Sequence, residues 1–158
     1  MVYNLIVRYQ TSEVMILNKV KVFDELHETQ LYIFKFFSKR YKDLGLNITP
    51  AQSKIIISIY EKGEQCQRQL ENFVTCNKST LSSILDTMEK NGYIVRKDSK
   101  DDCRKKIITL TDKAIDVVNI LSDDRKKILD SLSKDISDEE CLIFSNVLNK
   151  IIKNMERI

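Results

Sequence analysis

The stretch Asn77-Lys78-Ser79-Thr80-Leu81-Ser82-Ser83-Ile84-Leu85-Asp86-Thr87-Met88-Glu89-Lys90-Asn91-Gly92 decides how the chain is read. Leu81, Ile84, Leu85 and Met88 stand at i, i+3, i+4 and i+7, the spacing of one apolar stripe along a helix seated on a core. The other side carries Ser79, Ser82, Ser83, Asp86 and Lys90, with Lys78 at the start. Short hydroxyls and cations reach phosphates and base edges, whereas nothing on that side is built for packing. Asn77 is a good N-cap and Asn91-Gly92 a good C-terminal stop, so the helix should run for about four turns. Asp86, in the middle of the polar side, would repel a phosphate and is expected to pair with a cation of the same domain.

Moving outward, Tyr93 to Lys97 and Lys105 to Leu110 read as two strands joined by Asp98-Ser99-Lys100-Asp101-Asp102-Cys103-Arg104. A solvent-facing polar helix beside a basic hairpin is the requirement of a winged helix-turn-helix, one part for the major groove and one for the flanking backbone. Between residues 77 and 106, eight Lys or Arg against five Asp or Glu leave only +3. The cations nevertheless gather at Arg96, Lys97, Lys100, Arg104, Lys105 and Lys106, and their position matters more than their sum.

The same residues resemble the MarR-type transcriptional regulators. Lys78-Ser79-Thr80-Leu81-Ser82 opens the recognition helix, Met88-Glu89 with Gly92-Tyr93-Ile94-Val95-Arg96 closes it, and Asp102-Cys103-Arg104 with Leu110-Thr111 follows the wing. By motif the resemblance runs from about Asn47 to Ala114. Ser99 stands where the family often has an earlier aspartate. The resemblance implies that Arg104 reaches the minor groove or its phosphates, a role suited to a guanidinium where a narrow groove concentrates negative potential. It further implies that Asp102 holds the hairpin. The candidate DNA-contacting residues are therefore Lys78, Ser79, Thr80, Ser82, Ser83, Arg96, Lys100, Asp102, Arg104 and Lys105. Control of transcription, usually repression, is implied as well, and so is release of DNA when a small anionic aromatic or lipophilic effector enters a crevice beside the dimer helices. Phe34, Phe37, Tyr41 and Ile55 are the candidates for lining that crevice.

Upstream, Thr49-Pro50-Ala51-Gln52 is a capping box with Pro at the first helical position, so a helix starts there. Its Ile55, Ile56, Ile57, Ile59 and Tyr60 mark it as core, and it stops at Gly63. A short helix around Arg68 to Phe73 follows, with Leu70, Phe73 and Val74 expected to face inward. From Phe23 to Gly45, apolar residues spaced mostly by three and four give another helix, with Phe23, Leu26, Ile33, Phe37 and Leu44 on its seam and Leu31, Phe34, Phe36 and Tyr41 outside it. Residues 1–20 have no clean period and read as a helical arm or a loose surface segment.

Downstream, Thr111 caps a helix from Asp112 to about Leu132, and Ser137-Asp138-Glu139-Glu140 is a second capping box. The helix it opens carries Phe144, Val147, Leu148, Ile151, Ile152 and Met155 as a continuous stripe. One protomer cannot easily bury so much apolar surface, which argues for a homodimer. The expected fold is mainly α with a small β-hairpin (α+β). A winged helix-turn-helix DNA-binding domain over 47–111 would be flanked by an N-terminal helical dimerisation region, 1–46, and C-terminal dimerisation helices, 112–158.

Composition narrows the function. With 42% hydrophobic and 31% charged residues the 158-residue chain is ordinary for a soluble domain, and a net charge of +3 requires any nucleic-acid binding to come from a local patch. No run approaches a membrane span, and Asn4, Arg8, Gln10, Ser12 and Glu13 break any secretory signal, so a cytoplasmic protein without a membrane partner is expected. Cys66, Cys76, Cys103 and Cys141 are widely spaced and form no C-x-x-C pair. His27 is the only histidine and no Gly-rich phosphate loop occurs, so neither an enzyme nor a metal site nor a cofactor is expected. Two other readings stay open. Winged helices also serve as protein-binding platforms, and Asp98, Asp101 and Asp102 dilute the positive charge of the wing. Cys76, just ahead of a helix and near Lys78, and Cys103, in the wing, are the places where a thiol-based redox sensor would act.

Overall fold

A computed structural model describes residues 2–71, 74, 76–98 and 106–158, with the backbone alone for 2–19. It divides into two compact units, Met1–Ile115 and Asp116–Ile158. The first unit begins with one continuous helix, α1 (Val2–Asp43). The segment 1–20, whose lack of period left a helical arm and a loose surface segment both open, is therefore helical from Val2 onward. Neither Gly nor Pro interrupts the chain before Gly45, and that uniform absence of breakers does what an amphipathic pattern does elsewhere. Arg40 and Lys42 in the last turn complement the carbonyl end of the helix. The helix stops in a Schellman turn: Leu46 N–H donates to Tyr41 O at 2.8 Å and Gly45 N–H to Lys42 O at 2.9 Å, with Gly45 at φ 72°.

Helix α2 (Pro50–Lys62) starts as its capping box requires. Thr49 Oγ1 accepts from Gln52 N–H at 3.3 Å, and Gln52 Oε1 accepts from Thr49 N–H at 2.9 Å. Ile55 and Ile56 are fully buried and Ile59 nearly so. Tyr41 fixes the end of α1 to this helix, its hydroxyl lying 3.0 Å from Ser53 Oγ in a buried contact. This explains why Tyr41, outside the seam read from the sequence, is core. Among the seam residues Phe23 and Ile33 are about half exposed, as are Leu31, Phe34 and Phe36 on the other faces.

A two-residue strand, β1 (Gln65–Cys66), precedes the short helix α3 (Gln67–Glu71). Leu70 and Val74 are buried as expected, and Phe73 lies outside the described residues. Helix α4 (Lys78–Lys90) comes next, followed by β2 (Ile94–Asp98) and β3 (Lys106–Leu110). The sheet is antiparallel in the order β1-β3-β2, with Ile94 opposite Leu110, Asp98 opposite Lys106 and Gln65 opposite Ile108. The first strand of the hairpin starts one residue later than the sequence suggested, because Tyr93 N–H is used in the turn that ends α4. Strand β1 was not foreseen. It is held from outside itself, by its ladder with β3 and by Gln65 Nε2, which donates to Ser58 O at 2.8 Å.

Helix α5 (Asp112–Leu132) starts in the first unit and continues in the second, which also contains α6 (Asp138–Met155). Val117, Val118, Leu121, Asp124 and Ile128 are buried on α5, whereas Arg125 and Leu132, which continue the three-four alternation of Val118, Leu121 and Ile128, are exposed. Ser137 and Glu140 cap α6 reciprocally, Ser137 N–H donating to Glu140 Oε2 at 2.8 Å and Glu140 N–H to Ser137 Oγ at 3.2 Å. The bonds from the Ser137 backbone and then its hydroxyl hold the Glu140 carboxyl below its ordinary pKa. No residue of α6 is buried; Leu142, Ile143, Phe144, Ile152 and Met155 are all more than half exposed.

Candidate nucleic-acid interface

The polar side of α4 is turned to solvent because its other side is fully committed. Leu81, Leu85 and Met88 are completely buried and Ile84 is half-buried. Asn77 begins the helix, its Oδ1 accepting from Thr80 N–H at 2.8 Å and from the Ser79 hydroxyl at 2.7 Å. A second Schellman turn ends it, Tyr93 N–H donating to Met88 O and Gly92 N–H to Glu89 O, both at 2.9 Å, with Gly92 at φ 73°. Both ends and one face being fixed, Lys78, Ser79, Thr80, Ser83, Asp86, Thr87 and Lys90 are left exposed, with Ser82 half-buried.

The hydroxyls on this face have a definite polarity. Ser83 Oγ donates to Ser79 O at 3.1 Å and Thr87 Oγ1 to Ser83 O at 2.9 Å, the back-bonding common for such residues within helices. Their outward lone pairs accept hydrogens, and donation to a phosphate requires a change of rotamer. Thr87 belongs to this face although sequence reasoning passed over it; its spacing of four from Ser83 was the signal.

Arg96 of β2 joins the hairpin to this helix. Its Nη1 donates to Asp86 Oδ1 at 2.6 Å and lies 3.4 Å from Glu89 Oε2, while its backbone N–H donates to Glu89 Oε1 at 3.1 Å. The cation expected for Asp86 is therefore Arg96, which the sequence had placed among the DNA-contacting residues. Where β2 ends and β3 begins, Lys106 Nζ is 2.7 Å from Asp98 Oδ1, and Lys97 is exposed. Lys100, Asp102, Arg104 and Lys105, with Cys103, lie outside the described residues.

A clasp at the far end of α4 had no sequence signal at all. Lys113 Nζ donates to Asn91 O at 2.8 Å and stands 4.5 Å from the centre of the Tyr93 ring. The Thr111 hydroxyl donates to Gly92 O at 2.7 Å.

The four residues read as an effector crevice are only partly brought together. Phe37 and Tyr41 are neighbours, ring centroids 6.0 Å apart, and Phe36 meets Phe37 edge-on at 5.3 Å. Phe34 is 54% exposed, whereas Ile55 is wholly enclosed in the core. Cys66 and Cys76 are half-buried free thiols and Cys141 is exposed. His27 is exposed on α1.

An amphipathic helix that packs on the short helix before it and on the first strand of the hairpin after it, with a third strand completing the sheet, defines a winged helix-turn-helix fold. Residues 48–106 match the MarR family. The chain is also similar to the HTH-type transcriptional regulator MhqR of Bacillus subtilis, 23% identical over 141 residues, with 82% of this chain and 96% of MhqR covered. Among solved structures, a MarR protein from Peptoclostridium difficile shares the fold with a TM-score of 0.75 and 23% identity, over 86% of this chain and 88% of that one. The organohalide-sensing regulator RdhR, solved in its 2,4-dichlorophenol-bound form, gives a TM-score of 0.74 and 21% identity over 84% of this chain and 78% of its own. The chain thus carries a winged helix-turn-helix domain similar to that of the MarR-family DNA-binding transcription regulators.

Proposed function

We propose that two copies of this chain bind a pseudo-palindromic operator, the paired α4 helices entering successive major grooves about 34 Å apart, and that the bound dimer represses transcription. The observation that carries the reading is the division of α4 into an apolar side on which Leu81, Leu85 and Met88 are completely buried and an uncovered side that carries hydroxyls and lysines. Lys78 and the backbone at the start of the helix would meet phosphate, and Ser79, Thr80, Ser82 and Ser83 the base edges. In this reading α1 and α6 pair with their counterparts in the second copy, since both leave large apolar side chains in solvent. A small aromatic effector that releases the DNA is supported by the dichlorophenol held by RdhR. Phe34, Phe37 and Tyr41 would contact it, with Ile55 packed beneath.

Selection of bound sequences from a random duplex pool tests symmetry and half-site spacing together. The expected product is an inverted repeat whose affinity falls steeply as salt rises, log K dropping by about 0.9 per log unit of salt for each phosphate neutralised. Failure to enrich any sequence, with a flat response to salt, would assign the lobe to protein binding instead. In the wing, Arg104→Ala should cost operator affinity by about tenfold or more, the value of one good groove or phosphate contact, and leave thermal melting unchanged. Wild-type affinity in that variant would remove Arg104 from the interface.

A further inference from the structure

We infer that Arg96 acts as the internal counter-ion of the DNA-facing helix: it neutralises Asp86 and Glu89 there and makes no contact with phosphate itself. Asp86 sits in the middle of the exposed face of α4, one turn beyond Ser82 and Ser83 and one turn before Lys90. A bare carboxylate at that position would face the most densely charged polyanion in the cell, and a like charge in such a contact weakens association. Arg96 answers it from the neighbouring strand, its Nη1 2.6 Å from Asp86 Oδ1 and 3.4 Å from Glu89 Oε2.

The second amino group of the guanidinium is not open to DNA. Nη2 is buried and has no hydrogen-bond partner among the described residues, and the side chain as a whole is only 21% exposed, against 61% for Asp86. The arginine is thus the more enclosed partner of the pair, and the carboxylate the more exposed. The backbone N–H of Arg96, donating to Glu89 Oε1 at 3.1 Å, fixes the strand against the last turns of the helix. Arg96 is in this sense a positioning residue for DNA recognition.

The inference rests on α4 being the helix that meets DNA, and a double-mutant cycle separates the two claims. Full-length wild type, Asp86→Asn, Arg96→Met and the double variant are titrated with a random-sequence duplex across a salt series, with thermal melting of each. Arg96→Met should lose about tenfold in affinity, the scale of one uncompensated charge near a surface. Asp86→Asn/Arg96→Met, which keeps the net charge, should return to within about threefold of wild type with the same salt slope. Because it removes both partners together, the double variant should also fold where Arg96→Met does not. A double variant that stays about tenfold weak, or whose salt slope is lower by about 0.9, would show that Arg96 itself held a phosphate and overturn the inference. If the wild-type protein binds duplex without salt dependence, it is the role of α4 that fails.

Discussion

Phe144→Asp should yield a monomer in place of the proposed dimer and weaken binding to the proposed operator by roughly 10²-fold, the usual gain from holding two linked half-sites at once. Phe144 is 57% exposed on α6, in line with Val147 and near Ile152 and Met155, which are exposed too. A carboxylate there would have to be desolvated in any interface that covers the stripe. It costs the isolated chain little, since no residue of α6 is buried and the capping box at Ser137 is untouched. Sedimentation velocity reads the mass, and anisotropy on a labelled operator reads the affinity. A variant that sediments as a dimer and binds as tightly as wild type would take α6 out of the assembly.

Leu85→Ala should lower stability by about 2–5 kcal/mol, because a fully buried leucine leaves both lost transfer energy and a cavity. Leu85 is at the centre of the stripe that seats α4, between Leu81 and Met88, and none of the three is accessible to solvent. The loss falls on the helix that carries the polar face, so duplex binding should fade at temperatures where wild type still binds. Ser83→Ala, on the opposite side of the same helix, is the internal control. Its melting should stay within about 0.5 kcal/mol of wild type in stability. Equal melting of Leu85→Ala and wild type would mean that the stripe is not the seat of α4.

Local chemistry was legible in the sequence wherever a few adjacent residues settle a structure. Thr49 with Gln52, Asn77 with Thr80, and Ser137 with Glu140 all form the caps their spacing announced, and Gly45 and Gly92 take the positive φ that ends a helix. The division of α4 into a seated and an open face was equally plain. What escaped depends on partners distant in the chain. Strand β1 is too short to have a period and exists through β3 and Ser58. Tyr41 is core because Ser53 meets its hydroxyl across a turn. The need of Asp86 for a cation could be argued from charge alone. That Arg96 supplies it follows from the hairpin folding back on the helix, which no spacing encodes.

The hydroxyl of Thr111 belongs to two helices at once. It gives its hydrogen to the Gly92 carbonyl in the exit turn of α4 and takes the Ala114 N–H at the entry to α5, at 2.7 and 3.4 Å, while the Thr111 N–H holds Tyr93 O at 3.1 Å. With one oxygen bridging both ends, fraying of α4 at its tail is expected to loosen α5 at its root, and the reverse. The last turn of α4 and the first turn of α5 are tied to one and the same atom.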